Sequence, residues 1–446
     1  VENGFRSGRG RGRPGLRATG ERCRRLLVRG LVVASAALAL SACAPAAAGV
    51  QPTTLTIGTL YAGTGQFAPS SLPELAGLRF WVAQVDRDGG VHLGGSPRRI
   101  RVRLLALDDH SSPRLAARLY ERLVRVAHVQ LLVADFGSVL SAPAIPIAAR
   151  SQMLLFDQSG SGTSLFLADN PYIVLCDLPT SAIWPDPLVH FLLARRLRRV
   201  AIVYGANPFD GAQDATIAGQ LTRAGNSPVA NIAVPTATRS YGALIASLAR
   251  LRPDALLELG YQDNDLAFLR QLAQLRRAGD TPGLRVVFTA FPGQFPAAFE
   301  HALGAGALAG TFTYGFPPAV PVHGVRFGLS LSALERVFPT SARHPLSFYD
   351  LAGYNTGLVM QAALARSASF SQLALRAALN SLSGQLHTVL GTFEIDGQGA
   401  QLGETPPVAE FLPSTRGSLA LQVVYPPSGT TPVPVRSRPN RSKPAG

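Results

Sequence analysis

From residue 55 onward the chain alternates two patterns. Short runs of unbroken apolar, often β-branched residues are followed by longer stretches with apolar positions every three to four residues. The first pattern predicts buried strands and the second predicts amphipathic helices. Strands are predicted at 55–60, 100–107, 129–134 and 153–156, with helices at 75–88, 142–150 and from Ser112-Pro113 onward. Serine as N-cap and proline in the first turn mark that last start. Leu115, Leu119 and Leu123 are expected on its buried face. A Pro-rich break at 178–187 interrupts the rhythm, which then restarts. Helices at 188–197, 213–224, 241–251 and 265–278 alternate with strands at 199–204, 230–234, 255–259, 286–289 and 310–314. Helices at 347–365 and 370–382 and late strands at 391–395 and 419–425 follow. Continuously apolar strands between helices imply parallel sheets covered on both faces. The predicted fold class is therefore α/β, with two doubly wound parallel-sheet lobes joined by a three-strand hinge. The expected crossovers lie near residues 178, 320 and 390. This gives one lobe from 53–177 and 320–390, and the other from 178–319 and 391–425.

The two ends read differently from the body. An arginine-rich segment precedes ten apolar or small residues at 31–40, and small residues follow. That order is the pattern of a secretory signal. The run is short for a bilayer span, which takes roughly 20 residues. It ends in Leu40-Ser41-Ala42-Cys43, which resembles the lipobox of bacterial lipoproteins. The resemblance implies removal of residues 1–42, lipid on Cys43, and a short linker over 43–52. The protein is then expected to work outside the cytoplasm, lipid-anchored to the cell membrane, which removes most ATP- and NAD-dependent chemistry. The tail at 426–446 is rich in Pro, Ser, Thr and Arg, a composition that predicts disorder.

Charge and cysteine content narrow the reading further. Of the formal +15, residues 1–42 carry +7 and the tail from Arg436 carries +4, which leaves +4 in the body. A nucleic-acid partner is therefore not indicated, because the excess sits in the ends. Cys23 falls in the leader and Cys43 at the lipid position, so Cys176 stands alone in the mature chain without an intramolecular disulfide partner. It reads as a small buried apolar side chain.

Catalytic signatures are sparse. There is no His-Glu-x-x-His, no Gly-x-Ser-x-Gly and no Cys-x-x-Cys, and the eight histidines are scattered. Asp108-Asp109 reads as solvated turn acids rather than a paired-acid or metal site. Gly304-x-Gly306-x-x-x-Gly310 lacks dinucleotide-binding spacing. Neither enzymatic activity, a cofactor nor a metal is expected. An extracellular hydrolase remains the rival reading in a different class.

Several phrases, in order, resemble the type I periplasmic binding proteins, and among them the leucine/isoleucine/valine-binding branch. They are Gly77 with Val85-Asp86 and Gly89-Gly90-Val91, Leu107-Asp108-Asp109 with Pro113 and Ala116, and Gly137-Ser138-x-x-Ser141. Gly260-Tyr261 with Arg270-Gln271 and Ala278-Gly279 follows, then Tyr349-Asp350-Leu351-Ala352, then Gly391-x-Phe393-x-x-Asp396-x-x-Gly399. The resemblance implies a monomeric solute receptor that binds a small molecule and delivers it to the permease of an ABC importer. A sensory module of the same fold is the alternative. It also implies a site: Gly137 and Ser138, with the loop Ser159-Gly160-Ser161, for the ligand's polar end. These serines also read as helix caps, and one serine can cap a helix and still face the ligand. Tyr204, Phe209, Tyr261 and Phe291, at predicted strand ends of the second lobe, are expected to cover the ligand, though each also reads as core. Trp184, between the lobes, is a weaker candidate. The family's amino-acid binders carry an acid for the ligand ammonium where this chain has Thr238 or Arg239. Asp157 or Asp210 are possible substitutes. Amino acids, amides and small carboxylates are all left open as ligands, and simple aliphatic amino acids are expected to bind weakly.

Overall fold

The computed structural model describes residues 54–427 except 95, 168, 280–283, 343 and 415–417. Cys43, the leader, the 43–52 linker and the tail beyond 427 lie outside the described residues.

The first sheet contains β1 (Thr54–Tyr61), β2 (Val91–His92), β3 (Arg99–Asp108), β4 (Leu131–Val133), β5 (Leu155–Asp157) and β6 (Ile173–Leu175). Their order is β2-β3-β1-β4-β5-β6, parallel throughout except at the β2–β3 edge. The second sheet begins with β7 (Val200–Gly205), β8 (Ala230–Val234), β9 (Ala255–Leu259), β10 (Val286–Thr289) and β11 (Thr311–Tyr314). A separate hairpin of β12 (Leu386–Thr388) and β13 (Gly391–Phe393) precedes β14 (Val408–Pro413) and β15 (Leu419–Tyr425). The second order is β15-β14-β11-β10-β9-β7-β8, with the last two strands of the chain added antiparallel. The parallel blocks β3-β1-β4-β5-β6 and β8-β7-β9-β10-β11 have the same winding. In both, the order reverses beside the first strand, between β1 and β4 and between β7 and β9. A sheet wound this way opens a crevice there, beyond the carboxyl ends of its strands. Hydrophobic packing explains the strands: every residue of β4, β5, β6 and β9 is buried. Edge strand β8 has no buried residue.

Sequence-distant helices complete the first lobe. Helix Ala68–Arg87 packs along helix Phe348–Arg366 at backbone contact. A Cβ on Gly77 would fall 1.9 Å from the Asp350 carbonyl oxygen, and one on Gly353 would fall 1.9 Å from that of Glu74. Trp81 spans the same crossing and donates its Nε1–H to Gln361 Oε1 at 3.0 Å. The connection out of β6 runs beside the chain's return. Leu175 N donates to Gly399 O at 2.9 Å and Thr180 N to Gln401 O at 3.1 Å. Arg376 ties β6 to the returning chain, donating to Ile173 O at 2.5 Å and Gly397 O at 2.9 Å.

Some elements differ from the sequence reading. The helix expected at 75–88 starts near Ala68, carrying Pro73 in its interior. Helix Pro113–Arg125 is capped as expected, Ser112 Oγ accepting from Leu115 N at 3.3 Å. Its buried face is Ala116, Tyr120 and Leu123, however, with Leu115 and Leu119 only half-buried. The helix expected at 142–150 forms as Ala144–Ser151, preceded by a short helix, Gly137–Ser141, that the pattern did not indicate. Strands β2, β6 and β14 and helices Pro296–Leu303 and Leu331–Ala342 carry too few periodic positions, or pair too far along the chain, to be read locally.

Candidate functional site

The two sheets bring their strand ends to one cavity. From the first lobe come Phe136 and Gly137 after β4, Ser159 and Ser161 after β5, and Asp177 and Leu178 after β6. Facing them are Phe209 after β7, Tyr261 after β9 and Phe291 after β10. Trp184, in the connection between the sheets, and Phe348-Tyr349, at the start of a returning helix, close the sides. As the lobes stand, the walls leave room for little more than a water molecule between them. Aromatic contacts bridge the two sides, with ring centroids 5.1 Å apart for Phe67–Tyr261 and 5.8 Å for Phe136–Tyr261. Arg239, at the rim of the second lobe, donates to Gln66 Oε1 of the first at 3.0 Å and to Asp263 Oδ2 at 3.2 Å. The lobes are therefore in contact around the cavity, the arrangement of a closed cleft.

The first-lobe wall is held by a short-range polar network. Gly137 has φ +68°, and a Cβ there would lie 3.3 Å from the Tyr261 ring. Both the turn and the approach of the facing lobe thus favour glycine. Gly137 N donates to Ser159 Oγ at 3.1 Å, and Gly162 N donates to Ser138 Oγ at 2.8 Å. Asp157 Oδ1 accepts from Gly160 N at 2.7 Å and lies 3.0 Å from Ser141 Oγ. These bonds tie the loop after β5 to the turn after β4. Burial pushes the Asp157 carboxyl up to about 7, against the lowering effect of those donors. Behind it Gln158 Nε2 donates to Ala134 O at 2.9 Å and reaches Glu74 Oε2 at 3.3 Å. Glu74 is fully buried, and burial holds its carboxyl well above the usual range.

The second-lobe wall is set by caps. Asn207 Oδ1 accepts from Phe209 N at 3.0 Å and Asp210 N at 3.1 Å, which opens helix Pro208–Arg223 and aims Phe209 at the cavity. Phe291 N donates to Asp265 Oδ2 at 2.7 Å. The Tyr349 hydroxyl donates to Gln294 Oε1.

Of the residues the sequence singled out, Gly137, Ser159, Ser161, Phe209, Tyr261, Phe291 and Trp184 line the cavity. Ser138, Gly160 and Tyr204 do not. Ser138 and Gly160 stand one layer behind and hold the wall, while Tyr204 packs half-buried against the core at the end of β7. Thr238 and Arg239 are also outside it: the Thr238 carbonyl accepts from Asn264 Nδ2 at 2.9 Å, and Arg239 sits at the rim. Neither Asp157 nor Asp210 is a cavity wall, and the acid that is one, Asp177, was not foreseen. Phe136, Leu178, Phe348 and Tyr349 were missed as well. Asp177 and Leu178 follow a three-residue strand with no pattern of its own, and Phe348-Tyr349 arrives from 170 positions away. Only their place after a strand end or at a helix start could have pointed to them.

Two repeated open sheets with a closed cavity at both order reversals define a two-lobed binding protein that encloses its ligand. Residues 54–411 match the family model described as periplasmic binding protein, and the chain belongs to that family. Its fold is similar to that of several solved structures. One is a leucine-binding protein from Thermotoga maritima (TM-score 0.69, 14% identity, 83% of this chain and 98% of the other covered). Another is an ABC-transporter solute-binding protein from Rhodopseudomonas palustris in complex with benzoate (0.66, 17%, 83% and 96%). A third is the branched-chain amino acid binding protein of Streptococcus pneumoniae in complex with isoleucine (0.66, 15%, 83% and 99%). Among the described residues no helix is long and apolar enough to cross a membrane.

Proposed function

We propose that this protein is the extracytoplasmic receptor of an ABC importer, closing on a small solute and presenting it to the permease. The observation that carries the reading is the cavity itself, walled by strand ends of both lobes at the reversal points of both sheets. Two of the solved relatives hold isoleucine and benzoate, both small solutes. We assign ligand contact to Gly137, Ser159, Ser161, Phe209, Tyr261 and Phe291, with Ser138 and Gly160 holding the wall behind them. In this reading the lobes follow the expected division, 53–177 with 320–390 and 178–319 with 391–425, except at the last boundary. That boundary moves from 390 to the return connection near 397–401, which keeps the β12–β13 hairpin in one lobe. The return connection pairs with the one near 175–180 as the hinge. Lipid attachment at Cys43 is supported by the charged, apolar, small-residue order that ends in Leu-Ser-Ala-Cys.

Trp184 offers a direct readout. The chain has two tryptophans, and the other, Trp81, is buried in the helix crossing away from the cavity. A panel of amino acids, amides, carboxylates and amines should contain solutes that shift Trp184 emission and raise the melting temperature. The same solutes should reduce the radius of gyration measured by solution scattering. A panel in which no solute produces compaction counts against the receptor reading. Cys43→Ala should release the protein from membranes or stop its processing, and unchanged attachment would overturn the lipid assignment.

A further inference from the structure

The cavity's chemistry narrows the ligand further, and this step rests on the receptor reading above. Of the twelve residues that line it, seven are aromatic, one is acidic, and none is lysine, arginine or histidine. The acid is Asp177, 5% exposed, and its Oδ1 has no hydrogen-bond partner. The ionisable groups that act on it or that it acts on are two carboxyls, a phenol and a thiol, Asp157, Glu74, Tyr349 and Cys176, and none of them is a cation. Burial keeps the Asp177 carboxyl well above the ordinary range, with the Leu178 N–H the one group that lowers it. Such a group is costly to ionise unless a cation joins it.

The opposite preference, for an anion, has little support in the same walls. Gly137 N–H, at the start of the turn after β4, already donates to Ser159 Oγ at 3.1 Å. The phenol oxygen of Tyr261 lies toward the N–H groups of Ser138 and Val139. The Tyr261 hydroxyl itself is buried without a hydrogen-bond partner, and no side-chain cation lines the cavity beside these N–H groups. Ring faces, by contrast, attract cations, the more so where water is excluded.

We propose that the site selects a compact organic cation, an alkyl- or arylalkyl-ammonium that needs no carboxylate. Asp177 provides its counter-charge, Ser161 Oγ an additional acceptor, and Trp184, Phe209 and Phe291 surround its apolar body.

Calorimetric titration of the full chain at neutral pH with two charge series tests this. Benzylamine, benzyl alcohol and benzoate share one body, and isopentylamine, isopentanol and isovalerate share another. At least one ammonium should bind about tenfold or more tightly than its alcohol and carboxylate counterparts. Asp177→Asn should lose about tenfold or more for that ammonium, with the alcohol changed less than about twofold. Its melting temperature should hold or rise, because a buried unpaired acid has been removed. Tighter binding of either carboxylate, equal binding across both series, no ammonium binding, or an unchanged ammonium affinity in Asp177→Asn would each overturn the proposal. Compaction with benzoate or isovalerate instead would leave the receptor reading standing and the cation assignment refuted.

Discussion

Ser161 Oγ is buried at the cavity wall without a hydrogen-bond partner, whereas Ser138 Oγ accepts the Gly162 N–H at 2.8 Å. The two hydroxyls look alike in sequence, each in a Gly/Ser-rich turn after a strand, but replacing them should have separable effects. Ser138→Ala leaves a buried N–H unpaired and should lower the unfolding free energy by about 1–3 kcal/mol, read from a urea titration. Ser161→Ala removes no bond within the chain. Its stability should hold, while affinity for a solute that produces closure falls by about tenfold. Matching losses of stability in both variants would show that Ser161 is structural after all. Asp157 belongs to the same scale. It was considered from the sequence as a partner for a ligand ammonium, but its Oδ1 is engaged by Gly160 and Ser141, and its work is to fasten two loops.

Helix packing decides the next level. The crossing of helices Ala68–Arg87 and Phe348–Arg366 brings backbones so close that Gly77 and Gly353 each face a carbonyl oxygen of the other helix. Gly353→Ala must push the helices apart and should cost about 1–3 kcal/mol, as overpacking does elsewhere. A midpoint of chemical denaturation within error of the parent would contradict that geometry. The same crossing carries Phe348 and Tyr349 to the cavity, so loosening it should also weaken solute binding. Elements with a full period of their own were legible here. Strands β8, β9 and β10 start and end where the apolar runs do, and Ser112 caps its helix as read. Strand β14 was not legible, because it is defined by antiparallel pairing with β11, nearly a hundred residues earlier.

At the scale of the whole molecule, buried carboxyl groups set the response to pH. Burial lifts Asp135 to about 6, Asp157 to about 7 and Glu258 to about 7, in each case above the value of an exposed acid. Between roughly pH 4 and 7 the native state therefore holds protons that the unfolded chain has released. The sign follows from linkage: with more protons bound in the native state, stability falls as pH rises through that window. From these groups the melting temperature should be highest near pH 4 and decline until about pH 7. Asp157→Asn keeps the acceptor oxygen for Gly160 and removes one titrating group, so its decline should be shallower. A melting temperature that climbs from about pH 4 to 7 would show that these acids are ionised in the folded protein.

The sequence by itself determined that there would be two wound lobes and which loops would face each other. Apolar runs and helical periods are local properties, and the rule that crevices open beyond strand ends turns them into a place. Joined to the resemblance to the periplasmic binding proteins, that rule pointed to nine residues, of which Gly137, Ser159, Ser161, Phe209, Tyr261 and Phe291 line the cavity and Ser138, Gly160 and Tyr204 do not. The tertiary structure alone decided which side chains in those loops reach the cavity and which stand behind it. Ser138 and Ser161, or Asp157 and Asp177, differ in partners and direction rather than in residue type. It also decided the charge of the site. Asp177 becomes a cavity wall only because β6 ends beside the returning chain, where Arg376 clamps Ile173 and Gly397, and Phe348-Tyr349 joins it only through a glycine-lined helix crossing. Contacts of that kind, Arg376 to Ile173 and the two helices to each other, join residues about 200 to 280 positions apart, and no local pattern encodes them.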